Sequence, residues 1–156
     1  MGVSGSGKTT IGRQLSEKTG YNFYDADDFH SKENIDRMNA GIPLTDKERW
    51  PWLENIHDFV SGKIQTSDII LVCSALKQAY RKRLSSSIEK NCKWVFLEGD
   101  YHTILERLTS RTGHYMPTTL LQSQFDALEV PLEAIRIDIK MAPETIIDHI
   151  IEAINN

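Results

Sequence analysis

An α/β fold, with a parallel sheet between two layers of helices, is the class this sequence predicts. Three observations carry that expectation. Short apolar or aromatic segments alternate with amphipathic helical segments along the 156 residues, the pattern of strands joined by helical crossovers. Gly2-Val3-Ser4-Gly5-Ser6-Gly7-Lys8-Thr9 fits G-x-x-x-x-G-K-[ST] at every position and opens directly into a helical segment. The longest apolar run, Ile69 to Cys73, suits a buried strand and is far too short to span a bilayer.

The elements follow in order. Residues 9–19 place Ile11 and Leu15 on one helical face and stop at Gly20, a glycine C-cap. Tyr21 to Asp25 is a short aromatic strand, and 31–40 a helix ended by Gly41 and Pro43. Thr45 with Glu48 forms a capping box for a helix reaching residue 62, with Leu53, Ile56 and Val60 inward. Pro51 falls early in that helix and predicts a kink or a late start. Strand 69–74, helix 76–88, strand 93–98, helix 101–110, helix 118–128, strand 134–139 and an isoleucine-rich helix 143–154 complete the chain.

Composition narrows the function. Hydrophobic residues make up 40% and charged residues 26%, as in ordinary globular domains, and the length suits one domain, residues 1–156. A net charge of −4 supplies no basic field to attract nucleic acid. No secretory leader pattern and no membrane span are legible, so a cytoplasmic protein is expected. Two cysteines make no disulfide scaffold; Cys73 reads as a core residue and Cys92 as a loop or strand-edge thiol.

The glycine loop has a specific chemistry. Glycines let successive backbone N–H groups curl around one anion, and the helix that follows aims its positive end at the same point. Gly2, Val3, Ser4, Gly5, Ser6, Gly7, Lys8 and Thr9 are therefore the expected nucleotide-binding residues, which makes ATP the expected cofactor. Lys8 serves the β- and γ-phosphates, and Thr9 is positioned to ligate Mg²⁺.

A carboxylate cluster, Asp25-Ala26-Asp27-Asp28, ends the next strand at the edge where α/β sheets place their ligands. In extended backbone Asp25 and Asp27 share a face, so Asp25 suits the metal and Asp27 the proton of an attacking hydroxyl. Asp28 fits equally a solvated turn that caps the next helix. Lys77 and Arg81 are four apart and would share a helix face that suits an anionic substrate; Lys82 and Arg83 fit as well an exposed basic face. His30 and Arg49 lie in the segment, about 28–62, expected to close over the acceptor, where His30 suits a structural role equally. Arg107 and Arg111 are candidates for the nucleotide, in front of a cover at about 111–126 that includes His114 and a Gly113 hinge.

MGVSGSGKTT, DADDFH, NIDRMNAGIPLTDKERWPWL, CSALKQAYR, RTGHYMP and LLQSQFDALEVP together resemble the gluconokinases, over roughly residues 1–131. That resemblance implies a three-layer phosphate-loop kinase fold with strand order 2-3-1-4-5. It implies transfer of the ATP γ-phosphoryl group to the 6-hydroxyl of D-gluconate, in a protein that is commonly a homodimer. Similarity of YDAD to the carboxylate pair of shikimate kinases points to Asp27 as base. A shikimate kinase-like enzyme and a catalytically inactive nucleotide-binding module are the alternative readings. The first strand of that order should precede the phosphate loop, yet only Met1 stands before Gly2. The expectation is therefore a gap of roughly 10 Å between strands 69–74 and 93–98, and a functional protein that begins upstream of Met1.

Overall fold

A computed structural model describes residues 1–110 and 118–155. The elements are α1 (Lys8–Thr19), β1 (Asn22–Asp25), a 3₁₀ turn (Ala26–Phe29), α2 (Lys32–Asn39), α3 (Asp46–Lys63) and β2 (Ile69–Val72). They continue with α4 (Gln78–Ser85), a second 3₁₀ turn (Glu89–Asn91), β3 (Val95–Glu98), α5 (Tyr101–Thr109), α6 (Thr118–Ala127), β4 (Ile135–Asp138) and α7 (Pro143–Asn155). No helix among the described residues is long and apolar enough to cross a membrane.

The expected alternation holds, with two local corrections. The α3 helix begins at Asp46, under the Thr45–Glu48 capping box, and carries Pro51 inside it rather than starting after it. Pro51 lies in the second turn, so its missing N–H removes only one early hydrogen bond. The helix expected over 76–88 is shorter, Gln78–Ser85, because Ser74–Lys77 first leaves β2 through a turn with Ala75 at φ 44°.

Two parallel half-sheets form. β1 pairs with β2 from Asn22↔Ile69 to Asp25↔Val72, and β3 pairs with β4 from Val95↔Ile135 to Glu98↔Asp138. β2 and β3 do not pair with each other. Among the described residues Met1 and Gly2 bridge them: the Met1 carbonyl accepts from Leu97 N–H at 2.9 Å, and Gly2 N–H donates to Ser74 O at 3.3 Å. Behind that bridge lies a cleft of about 380 Å³, lined by Ile11, Leu15, Leu71, Val95, Ile150 and other residues. The Met1 amine is buried there, donates to Val95 O at 2.5 Å, and is lowered by that burial from 8.0 to about 5.

Two hydrophobic cores flank the cleft. One gathers Ile11 and Leu15 of α1, Ile104 of α5, Leu121 of α6 and Ile146, Ile147 and Ile150 of α7. The other gathers Trp52, Leu53 and Ile56 of α3 with Cys73, Tyr80 and Leu84. Together they fix the C-terminal ends of β1, β2 and β3 at one edge, where the phosphate loop lies.

Candidate active site

The phosphate loop is built from backbone. Gly5 and Gly7 sit at φ 83° and 95°, a region that side chains strain. A Cβ on Gly5 would also stand 2.9 Å from the Leu108 side chain, so the loop is pressed against α5. Ser6 N–H donates to Val3 O at 3.2 Å, which closes the turn, and Gly7 precedes α1 with no side-chain cap, leaving the start of the helix to an anion. Lys8 Nζ arches back to Val3 O at 3.0 Å.

Thr9 and Asp25 meet directly, with Thr9 Oγ1 donating to Asp25 Oδ2 at 3.2 Å. A hydroxyl and a carboxylate are hard oxygen donors of the kind Mg²⁺ accepts alongside phosphate oxygens and water. Among the described residues no group of three or more His, Cys, Asp and Glu gathers as a metal cage. The donor set therefore fits a cation shared with the nucleotide rather than one held by protein alone.

Asp27 reaches the site by a route that alternation does not describe. The strand ends at Asp25, and Asp27 lies in the 3₁₀ turn, its N–H bonded to Asp25 Oδ1 at 3.1 Å. The short carboxylate of Asp25 captures the next backbone donors, which bends the chain before strand geometry can continue. Desolvation, then the negative charge of Asp25, raises the Asp27 carboxyl above its ordinary value, with Lys8 and Arg49 opposing. The Asp27 side chain is still 78% exposed, so water moderates the rise.

Beneath it, His30 stacks on Trp52 at 4.3 Å, and Trp52 Nε1 donates to Ala26 O at 2.8 Å. The His30 side chain is only 3% exposed; Nε2 lies 3.9 Å from Asp27 Oδ1, and Nδ1 has no hydrogen-bond partner among the described residues. Burial first, then the Arg49 charge, lowers His30 from 6.5 to about 4. Between those values the unfolded chain takes up a proton that the folded chain refuses, so stability is lost as pH falls from 6.5 toward 4. Denaturant titrations at pH 7 and pH 4.5 should show roughly 2–3 kcal/mol more acid loss in the native protein than in His30→Phe, which keeps the stack. Equal losses would place His30 in an ordinary solvated environment.

The cations do not form the expected pair. Lys77 is the N-cap of α4 and its Nζ bonds both oxygens of Asp46, at 2.8 and 3.0 Å. Arg81 turns inward, 8% exposed, and donates through one terminal nitrogen to the carbonyls of Ala75 and Leu76, both at 2.9 Å. It braces the turn instead of sharing an open face with Lys77: the Ala75 carbonyl takes its donor from Arg81, while Leu76 O also accepts from Glu129 N–H. Arg49 lies over the Tyr80 ring at 5.8 Å, with Nε donating to Leu44 O at 3.3 Å. Its positive charge is felt by Asp27, His30, Asp46 and Glu48.

Arg107 donates through one terminal nitrogen to Ile139 O at 2.5 Å, which ties α5 to the residue that follows β4. Arg111, Gly113 and His114 lie outside the described residues. Of the expected cover at 111–126, residues 118–126 belong to α6, with Leu121 fully buried. Sequence reasoning missed Trp52, Asp46 and Tyr80. The Trp50-Pro51-Trp52 cluster and the acidic residue just after Thr45 were the signals available for two of them.

The family model for shikimate kinases matches residues 4–155. The thermosensitive gluconokinase of Escherichia coli (strain K12) is 45% identical over 144 residues, covering 89% of this chain and 76% of that one. The gluconokinase of Arabidopsis thaliana is 40% identical over 171 residues, covering 100% of this chain and 90% of that one. A crystal structure of a gluconokinase from Sinorhizobium meliloti 1021 superposes with a TM-score of 0.90 at 39% identity, over 99% of this chain and 89% of that one. With the phosphate loop, the facing carboxylates and the α/β architecture already in place, these likenesses make the chain a member of the gluconokinase family of phosphate-loop kinases.

Proposed function

We propose that this protein transfers the γ-phosphoryl group of ATP to the 6-hydroxyl of D-gluconate, giving ADP and 6-phospho-D-gluconate. The observation that carries the reading is Asp27, an open carboxylate at the end of β1 that shares one electrostatic neighbourhood with Lys8 of the phosphate loop and with Arg49. The Asp27 carboxylate takes the proton of the 6-hydroxyl. That oxygen bonds to the γ-phosphorus as the bond from phosphorus to the β–γ bridging oxygen breaks. Lys8 and the loop N–H groups meet the charge that develops on the leaving phosphate. Thr9 and Asp25 would hold Mg²⁺, whose chemistry here is charge neutralisation across the β- and γ-phosphates.

Residues 28–62 form the acceptor segment in this reading, with Arg111 serving the nucleotide and His114 the acceptor. Arg49 meets the gluconate carboxylate, Lys77 exchanges part of its pairing with Asp46 for the sugar acid, and His30 offers its unpartnered Nδ1. Arg81 acts on the pocket by holding the Ser74–Lys77 turn. The protein works as a homodimer in the cytoplasm, a part of the reading that rests on the family alone.

Arg49→Ala should raise the gluconate KM about 10- to 100-fold, as losing one charge-assisted contact does, and leave the ATP KM within a few-fold. Gluconate titrations at saturating ATP check this, and an unchanged KM would remove Arg49 from the pocket. The function is tested by ADP release across gluconate, shikimate and the nucleoside monophosphates. Gluconate-dependent turnover is expected. Turnover on another acceptor alone, or ATP binding with no product, would overturn the proposal.

A further inference from the structure

One polar tie of the phosphate loop comes from a helix far along the chain. Gly2 N–H reaches Ser74 O, Ser6 N–H reaches Val3 O, and Lys8 Nζ reaches Val3 O, all within the loop or the adjoining strand end. Ser4 N–H instead donates to Oε1 of Gln124, on α6, at 2.7 Å and 120 residues away. It is the shortest of these bonds. Gly5, the next residue, is backed by Leu108 of α5.

The chain just beyond α6 is tied down as well. Glu129, two residues beyond the helix, donates its N–H to Leu76 O at 2.9 Å and accepts from Gln78 N–H at 2.5 Å through Oε2. Gln78 opens α4 directly after Lys77, which bonds Asp46 of α3. Within the helix Leu121 is fully buried and Phe125 packs against the Tyr101 ring at 5.4 Å, so α6 is seated on the core. The helix thus reaches the phosphate loop through Gln124, and the chain just past it is tied to the start of α4.

We propose that Gln124 is a positioning residue for the phosphate loop, presented to the Ser4 amide by α6. A glycine-rich loop has little side-chain packing to hold its curvature, so an external acceptor on one loop amide selects the conformation whose remaining N–H groups converge on the phosphates. Gln124 itself touches no reacting atom.

The kinetic arm rests on the kinase reading; the exchange arm does not. Gln124→Leu keeps the length and packing but removes the acceptor, and Gln124→Asn keeps the carboxamide one methylene short. Gln124→Glu keeps an acceptor at full length. In nucleotide-free protein, Ser4 amide exchange should be about 10-fold faster in the Leu and Asn variants and near native in the Glu variant. At fixed gluconate, kcat/KM for ATP should fall about 5- to 30-fold in the Leu and Asn variants, with the gluconate KM unchanged. Native exchange at Ser4 in Gln124→Leu or Gln124→Asn would overturn the proposal, as would native ATP parameters with accelerated exchange. If the native protein shows no turnover, the kinase reading fails, and the exchange data alone decide whether Gln124 holds the loop.

Discussion

Asp27→Asn should lower kcat by about 10²–10⁴, the range for losing a positioned general base, with little change in the KM for ATP. Asparagine keeps the size and one acceptor oxygen, and the backbone bond from Asp27 N–H to Asp25 Oδ1 does not involve the replaced group, so the turn should survive. What disappears is the ability to take a proton. The pH profile supplies an independent sign. Asp27 is raised by desolvation and by Asp25, so the acid limb of kcat/KM in the native enzyme should lie above the ordinary aspartate value, with activity lost as pH falls through it. In Asp27→Asn that limb should vanish from the residual rate. A loss confined to the gluconate KM, with kcat preserved, would make Asp27 a binding residue and leave the base elsewhere.

Joining an apolar, strand-forming extension of about five residues to Met1 should raise stability by several kcal/mol, or roughly 10 °C or more in Tm. The half-sheets face each other across the 380 Å³ cleft, bridged by Met1 and Gly2. An inserted strand can bond both edges at once and bury its side chains among Ile11, Leu15, Leu71 and Val95, which line the cleft. It also converts the buried Met1 amine into a peptide N–H. That amine is lowered from 8.0 to about 5, so its burial costs stability progressively as pH falls from 8 toward 5. The extension should therefore flatten this part of the stability profile as well as lift it. Thermal unfolding at pH 8 and pH 5.5, with and without the extension, measures both effects. Equal Tm values would show that the bridge at Met1 and Gly2 suffices.

Local signals were the legible ones. The phosphate loop is a contiguous motif whose glycines do their work in place, and the capping box of α3 lies within four residues. The gap in the sheet was legible too, since a loop of this kind needs a strand in front of it. Asp27 was placed on the correct edge for an incorrect reason. Strand alternation was assumed where an Asx cap bends the chain, and no periodicity reports that competition. The cation pair failed similarly: i and i+4 spacing ignores that Lys77 precedes the helix and that the Ala75 carbonyl draws Arg81 inward. The remaining contacts join residues far apart in the chain. Asp46 meets Lys77 and Tyr80 across 31 and 34 positions, and Gln124 meets Ser4 across 120. Such pairs are set by how helices pack, which one sequence read by pattern does not encode locally.

Phosphorus NMR of a reaction containing ATP, Mg²⁺ and D-gluconate tests the central claim most directly, since it reports the bond that forms. The account predicts loss of the γ-phosphate signal of ATP, appearance of ADP, and one new phosphomonoester whose coupling to the C6 protons identifies 6-phospho-D-gluconate. Inorganic phosphate as the sole product, or a phosphoester on another position of the sugar acid, would contradict it.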